Sequence, residues 1–219
     1  MGLINITNIP AVYINLEKHK EKNDSMYDLL SSVGFKIIER IEGVLDIENP
    51  VAGCSKAHHK ALSSFKAPFV LFEDDCVLFE KNVITQIQLP DDADALYLGI
   101  SSWGRMNGHN GFYLQYDQFE ENTNLLRIYN MLGGHSIIYL TEDYRKICEK
   151  VSYHAGYVIK DYQDIGFAEI QKFFNVYSLN YPMFYQTSNS LGTKNNITYY
   201  HTSECLSVNN LNFYPYKIK

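Results

Sequence analysis

The 219-residue sequence predicts an α/β fold: a mixed, mostly parallel sheet flanked by helices. Two observations predict it. Short apolar runs alternate with segments whose apolar residues recur at helical spacing, the pattern of strand–helix–strand units. One of those runs, Ala67-Pro68-Phe69-Val70-Leu71-Phe72, stops abruptly at Glu73-Asp74-Asp75. Three consecutive carboxylates are hard to explain as packing. They suit the carboxyl end of a strand, where open α/β sheets bind their ligands.

The elements follow in order. Residues 11–16 read as the first strand. Residues 24–33 read as a helix, with Met26, Leu29, Leu30 and Val33 on one face and Gly34 as its stop. Residues 35–41 form a second strand. Ser55 caps a helix running to residue 65, with Ala57, Ala61, Leu62 and Phe65 facing inward. The run at 69–72 is a third strand, and 95–98, ended by Gly99, a fourth. Residues 136–140 are a fifth, followed by a helix over 141–151. A helix over 164–174 and a strand over 176–179 complete the pattern. Residues 104–111 are polar and glycine-rich and read as a flexible loop, and 181–202 is irregular. No repeat, low-complexity block or linker interrupts the chain. One domain over 1–219 is expected, with 191–219 as a C-terminal extension.

Composition narrows the function classes. At 46% hydrophobic residues the chain can bury a sizeable core. No apolar run approaches the ~18 residues of a membrane span. The first eight residues lack the basic and apolar regions of a signal peptide, and Met1-Gly2 followed by Ile6 is a poor myristoylation signal. Cys54, Cys76, Cys148 and Cys205 show no CxxC spacing, which argues against a zinc site and against a disulfide framework. Reduced thiols and a cytoplasmic location are the expectation. A net charge of −6 does not favour broad contact with nucleic acid or an anionic membrane. Two basic stretches stand out, Lys18, His19, Lys20 and Lys22, and Lys56, His58, His59 and Lys60. Each reads either as a local phosphate groove or as a solvated helix face.

The acidic tripeptide carries the chemistry. Burying an unpaired carboxylate costs several kcal/mol, and adjacent carboxylates repel one another. A divalent cation relieves both costs, because hard cations take oxygen ligands. A cation at a strand's carboxyl edge can in turn hold a diphosphate, as in nucleotide-sugar sites of the DxD kind. The competing reading is a solvated acidic turn.

Four segments, in order, resemble glycosyltransferase family 25, which includes bacterial lipooligosaccharide and collagen galactosyltransferases. The first is Val12-Tyr13-Ile14-Asn15-Leu16 with the basic helix start and Met26 behind it. The second, Gly53-Cys54-Ser55-Lys56-Ala57-His58, is similar to the family's GCxxSH signature. The third is the strand ending in Glu73-Asp74-Asp75, then Asp94-Ala95-Leu96-Tyr97-Leu98-Gly99. The fourth, Gly134-His135-Ser136-Ile137-Ile138, is similar to a G-H-x-Y-I-I stretch. Order and spacing fit over residues 10–190. Lys18 and Lys22 stand where the family usually has arginines, and Ala57 where it has serine; a lysine offers a point charge rather than a bidentate fork.

The resemblance implies a GT-A-like (Rossmann-like) fold, a nucleotide-diphosphate sugar donor (UDP-linked in many members), manganese or magnesium, and inversion at the anomeric carbon. It also implies roles. Asp75 holds the metal with Glu73, and His135 or His201 completes the shell; Glu73 or Asp74 otherwise serves the ribose or a metal-bound water. Asp161 aligns best with the acidic acceptor-side base, and Asp164, which also suits a helix N-cap, is second. Asn15, Leu16, Lys22, His58, Gln186 and Ser190 fall at donor-binding positions, the last two within a P-x-x-x-Q-x-x-x-S pattern from Pro182. Trp103 and the many tyrosines offer faces for sugar stacking. The implied reaction moves a hexose or pentose to a hydroxyl acceptor such as a cell-surface or lipooligosaccharide glycan. One alternative is a phage- or viral-type enzyme acting on hydroxymethylated DNA bases, which the net charge does not favour. Another is a degenerate protein that binds nucleotide sugars without transfer.

Overall fold

Strands whose side chains are apolar on both faces are stable only when covered on both sides. The segment Phe69–Glu73 is such a strand, and its alternate residues feed two cores. Val70 and Phe72 join one apolar cluster, while Phe69 and Leu71 join the other. The computed structural model describes residues 1–79, 83–101, 103–111, 114–119, 122 and 124–186. In chain order its elements are β1 (Gly2–Asn5), β2 (Ala11–Asn15), α1 (Lys20–Val33), β3 (Ile38–Glu42), α2 (Pro50–Ser64), β4 (Phe69–Glu73), β5 (Cys76–Leu78), β6 (Gln86–Leu89) and β7 (Ala95–Tyr97). Then come β8 (Gly104–Met106), β9 (His109–Gly111), β10 (Tyr116–Gln118), β11 (Leu125–Ile128), β12 (Ser136–Tyr139), α3 (Glu142–Tyr153), α4 (Gln163–Ile170), β13 (Val176–Leu179) and β14 (Phe184–Gln186).

The central sheet runs β10-β11-β13-β7-β12-β4-β2-β3. Only β11 and β12 run against the other strands, so the sheet is mixed and mostly parallel. Helix α1 covers one face with Met26, Leu30 and Val33. Residues Ala61 and Leu62 of α2, Tyr144 and Cys148 of α3 and Phe167 of α4 cover the other. Register then brings the site together. Ile14 pairs with Glu73 across β2 and β4, so Asn15, one residue on, stands beside the acidic turn. Gln186 pairs with Cys76 across the small β14–β5 ribbon, which sets it beside Asp75. No helix among the described residues is long and apolar enough to cross a membrane.

Several boundaries differ from the sequence expectation. Helix α1 ends at Gly34 as expected, at φ +97, but starts at Lys20, so Lys20 and Lys22 lie in its first turn. Helix α2 starts at Pro50, where Asn49 accepts from the Ala52 amide and proline needs no amide partner. Ser55 is therefore a buried mid-helix residue, not a cap. Asp164 lies inside the first turn of α4, and Tyr162 holds the cap position without a side-chain bond. Helix α3 runs on into a π-helical turn, His154–Ile159, closed by Lys160 at φ +56. The presumed loop over 104–111 is the β8–β9 hairpin, whose Asn107 and Gly108 both have positive φ, as a two-residue primed turn requires.

Candidate functional site

The three carboxylates at the end of β4 go three ways. Asp74 faces β2 and α1. It accepts from Asn15 Nδ2 at 2.8 Å and from Lys22 Nζ at 3.1 Å, with His19 Nδ1 4.0 Å away. Asn15 is itself fixed by Arg40 of β3, whose Nε donates to its Oδ1 at 3.2 Å. Lys18, His19, Lys20, Glu21 and Lys22 line a cavity of about 440 Å³ at the start of α1. A helix N-terminus presents unpaired amides, and here basic side chains stand around it. Leu16 is partly buried against Gly43, and its carbonyl accepts from the His19 amide.

Glu73 and Asp75 share one amide. Gln186 Nε2 donates to Glu73 Oε2 at 2.7 Å and lies 3.2 and 3.1 Å from the two Asp75 oxygens. The other Glu73 oxygen meets His58 Nε2 at 3.0 Å. Burial pushes Asp75 up to about 8, and the Glu73 charge adds to it. Burial also opposes the charge on Glu73, yet the His58 hydrogen bond and charge, with His135 and Lys22, hold Glu73 below its ordinary value. Burial and the neighbouring Glu73 charge thus keep a proton on Asp75 that a cation would replace.

His135 is buried behind this pair. Its carbonyl accepts from the Glu73 amide at 3.0 Å and from Cys76 Sγ at 2.8 Å. Its ring rests on Gly99, where an added Cβ would fall 2.0 Å from Nε2. Burial lowers its proton affinity, and the Glu73 charge opposes that fall. Gly134 lies at the junction of three elements: a Cβ there would stand 3.5 Å from Gln163 Nε2, 3.6 Å from Glu73 Oε1 and 3.6 Å from His58 Cε1.

Helix α2 ties this floor to the acidic residues around the start of α4. Ser55 Oγ donates to the Asp161 carbonyl at 2.6 Å and lies 2.9 Å from Gln163 Oε1. The Asp161 side chain accepts from the Tyr162 amide at 2.8 Å. Asp164 Oδ2 accepts from the Gly133 amide at 3.0 Å. Burial pushes Asp164 up to about 6; the Gly133 bond opposes that rise and the Glu73 charge adds to it. Cys54 Sγ, a His58 ring nitrogen and a Glu73 oxygen lie within 4.8 Å of one another.

Of the residues singled out from the sequence, Asn15, Lys22, His58, Glu73, Asp74, Asp75, His135, Asp164 and Gln186 converge on one sheet edge. Asp161 is joined to that edge through its backbone. Ser190 and His201 lie outside the described residues. Sequence reasoning missed Arg40, Gln163 and Cys54 as site residues. Only Cys54 carried a signal, because it stands one helical turn before His58.

No protein-family model matches the chain, and no curated protein sequence does. Among solved structures it is similar to a glycosyltransferase involved in the glycosylation of the major capsid of PBCV-1, at 11% identity over 69% of this chain and 68% of that one, with a TM-score of 0.39. It is also similar to the CTP:phosphocholine cytidylyltransferase LicC from Streptococcus pneumoniae, at 9% identity over 84% of this chain and 95% of that one, with a TM-score of 0.44. At these scores the fold rests on the strand order and register above, not on the likeness.

Proposed function

We propose that the chain is a metal-dependent, inverting glycosyltransferase of the family 25 type. It would move a hexose or pentose from a UDP-linked or related donor to a hydroxyl of a glycan. The observation that carries this reading is the acidic turn: Asp74 is held by Asn15 and Lys22, while Glu73 and Asp75 meet at one amide, and burial with the Glu73 charge raises the proton affinity of Asp75. That donor set, all oxygens apart from the histidines behind it, fits manganese or magnesium. Asp75 and Glu73 would hold the ion, with His135 behind them. The ion supplies charge neutralisation on the departing diphosphate.

The remaining steps belong to side chains. Lys22 and the amides at the start of α1 would bind phosphate oxygens in the basic cavity. Asn15 and Arg40 keep Asp74 oriented toward the donor. His58 holds the outer oxygen of Glu73. Asp164 is the better matched base, because a proton affinity near the working pH favours proton abstraction. Asp161 commits one oxygen to the neighbouring amide and would position the segment. The DNA-modifying alternative is weaker here. In its second basic stretch, Lys56 pairs with Asp46 at 2.8 Å and Lys60 with the Glu42 carbonyl at 3.0 Å.

Nucleotide release from a panel of nucleotide sugars with mixed glycan acceptors tests the reading. The expected rate rises with pH through about 6, as Asp164 loses its proton. Asp164→Asn should abolish that limb and lower the rate by about 10²–10⁴. Full activity in EDTA, or an unchanged pH limb in the variant, contradicts it.

A further inference from the structure

We propose that Cys54, His58 and Glu73 form a separate cation site, on the α2 side of the acidic turn, that takes zinc or another thiophilic divalent ion. The inference stands on the donor atoms and does not need the transferase reading. Cys54 and His58 are four residues apart on α2, so they share one face of the helix. There they meet Glu73, and the three ligand atoms lie within 4.8 Å of one another. A tetrahedral ion with bonds of about 2.0–2.3 Å spaces its ligands by roughly 3.5 Å, so small side-chain rotations close the set.

A second observation points to a ligand. The His58 side chain is fully buried. Its Nε2 meets the Glu73 carboxylate, whereas Nδ1 has no hydrogen-bond partner among the described residues. A buried polar atom left in this state carries a desolvation penalty, and ligation through Nδ1 would offset it. Gly134 puts no side chain of its own against Glu73 Oε1 and His58 Cε1, and the Gln163 amide lies at the same spot. Chemistry then separates the two ions. Thiol, imidazole and carboxylate together suit zinc, cobalt or cadmium, whereas the oxygen-lined Asp75 position suits magnesium or manganese. Glu73 belongs to both sets, its Oε1 toward His58 and its Oε2 toward Gln186. On ligation the Cys54 thiol releases its proton to solvent and binds as thiolate.

The test is a cobalt titration of the metal-free full chain without nucleotide. The expected spectrum has a thiolate-to-cobalt charge-transfer band in the near ultraviolet, saturating at one ion per chain and erased by zinc. Cys54→Ser should remove the band, and His58→Gln should weaken cobalt binding by at least about tenfold. Asp75→Asn should leave both unchanged. No band, or a band that survives Cys54→Ser, overturns the proposal. X-ray absorption of the zinc-loaded wild-type chain decides independently of how the variants fold. One sulfur at about 2.3 Å supports the site, and a shell of only nitrogen and oxygen overturns it.

Discussion

Asp75 is the residue on which the electrostatics of the site turn. Its proton affinity is raised to about 8 from an ordinary 3.8, burial being the larger cause. The folded chain therefore holds a proton that the unfolded chain releases, between about pH 4 and pH 8. Stability must fall as pH rises through that window. Glu73 is shifted the other way, so its contribution is lost only at lower pH, below its ordinary 4.5. Asp75→Asn should accordingly raise the melting temperature at pH 8 in the absence of divalent ions and change it little at pH 5. Each kcal/mol gained corresponds to about 2–4 °C in a domain of this size. Equal effects at the two pH values would show that Asp75 is not held protonated by its surroundings. The acidic turn was legible because consecutive charges after an apolar strand have few structural explanations. Arg40 and Gln163 were not, because isolated polar residues are common, and Gln163 meets Ser55 108 positions away in the chain.

At the scale of elements, the apolar strands of the central sheet were legible and the short two-stranded ribbons were not. Leu71 and Ile138 sit in continuous apolar runs, which only a doubly covered strand explains. Strands β5, β8, β9 and β14 span three residues each, too short for a two-residue alternation to register. Asn107-Gly108 between two polar flanks read as a loop, although the same pair is a hairpin turn. The start of α2 was lost for a different reason. Gly53 sits in its first turns because a Cβ would come 2.7 Å from the Val44 carbonyl oxygen. A glycine demanded by close packing looks, in sequence, like a helix boundary. The end of β7 carries a similar demand, where Gly99 admits His135. Gly99→Ala should force that ring from its place, lower stability by about 1–3 kcal/mol and weaken manganese binding. Melting and manganese titration of the variant check this; unchanged values in both would mean that the His135 ring does not support the site.

At the scale of the molecule, strand order does the work that no single motif could. The crossovers β2–α1–β3 and β3–α2–β4 put β2 between β3 and β4. Asn15, the acidic turn and the basic start of α1 then meet at one edge, while α2 and α4 approach from the other face. The alternation of strands and helices announced a parallel sheet, but not that β4 would neighbour β2, nor that β14 would return Gln186 to the acidic turn. Those pairings depend on long-range contacts between segments 50 to 110 residues apart, as in Ile14 with Glu73 and Gln186 with Cys76.

The central claim is that this edge binds a nucleotide sugar through a divalent ion on Asp75. The measurement that tests it most directly is the melting temperature of the metal-free chain with UDP-, GDP-, CMP- and dTDP-linked sugars, each with and without manganese. A ligand that binds only the folded state raises that temperature by mass action. The account predicts a rise with one nucleotide class, present only with manganese and absent in Asp75→Asn. A rise that needs no metal, one that persists in Asp75→Asn, or no rise with any donor would contradict it.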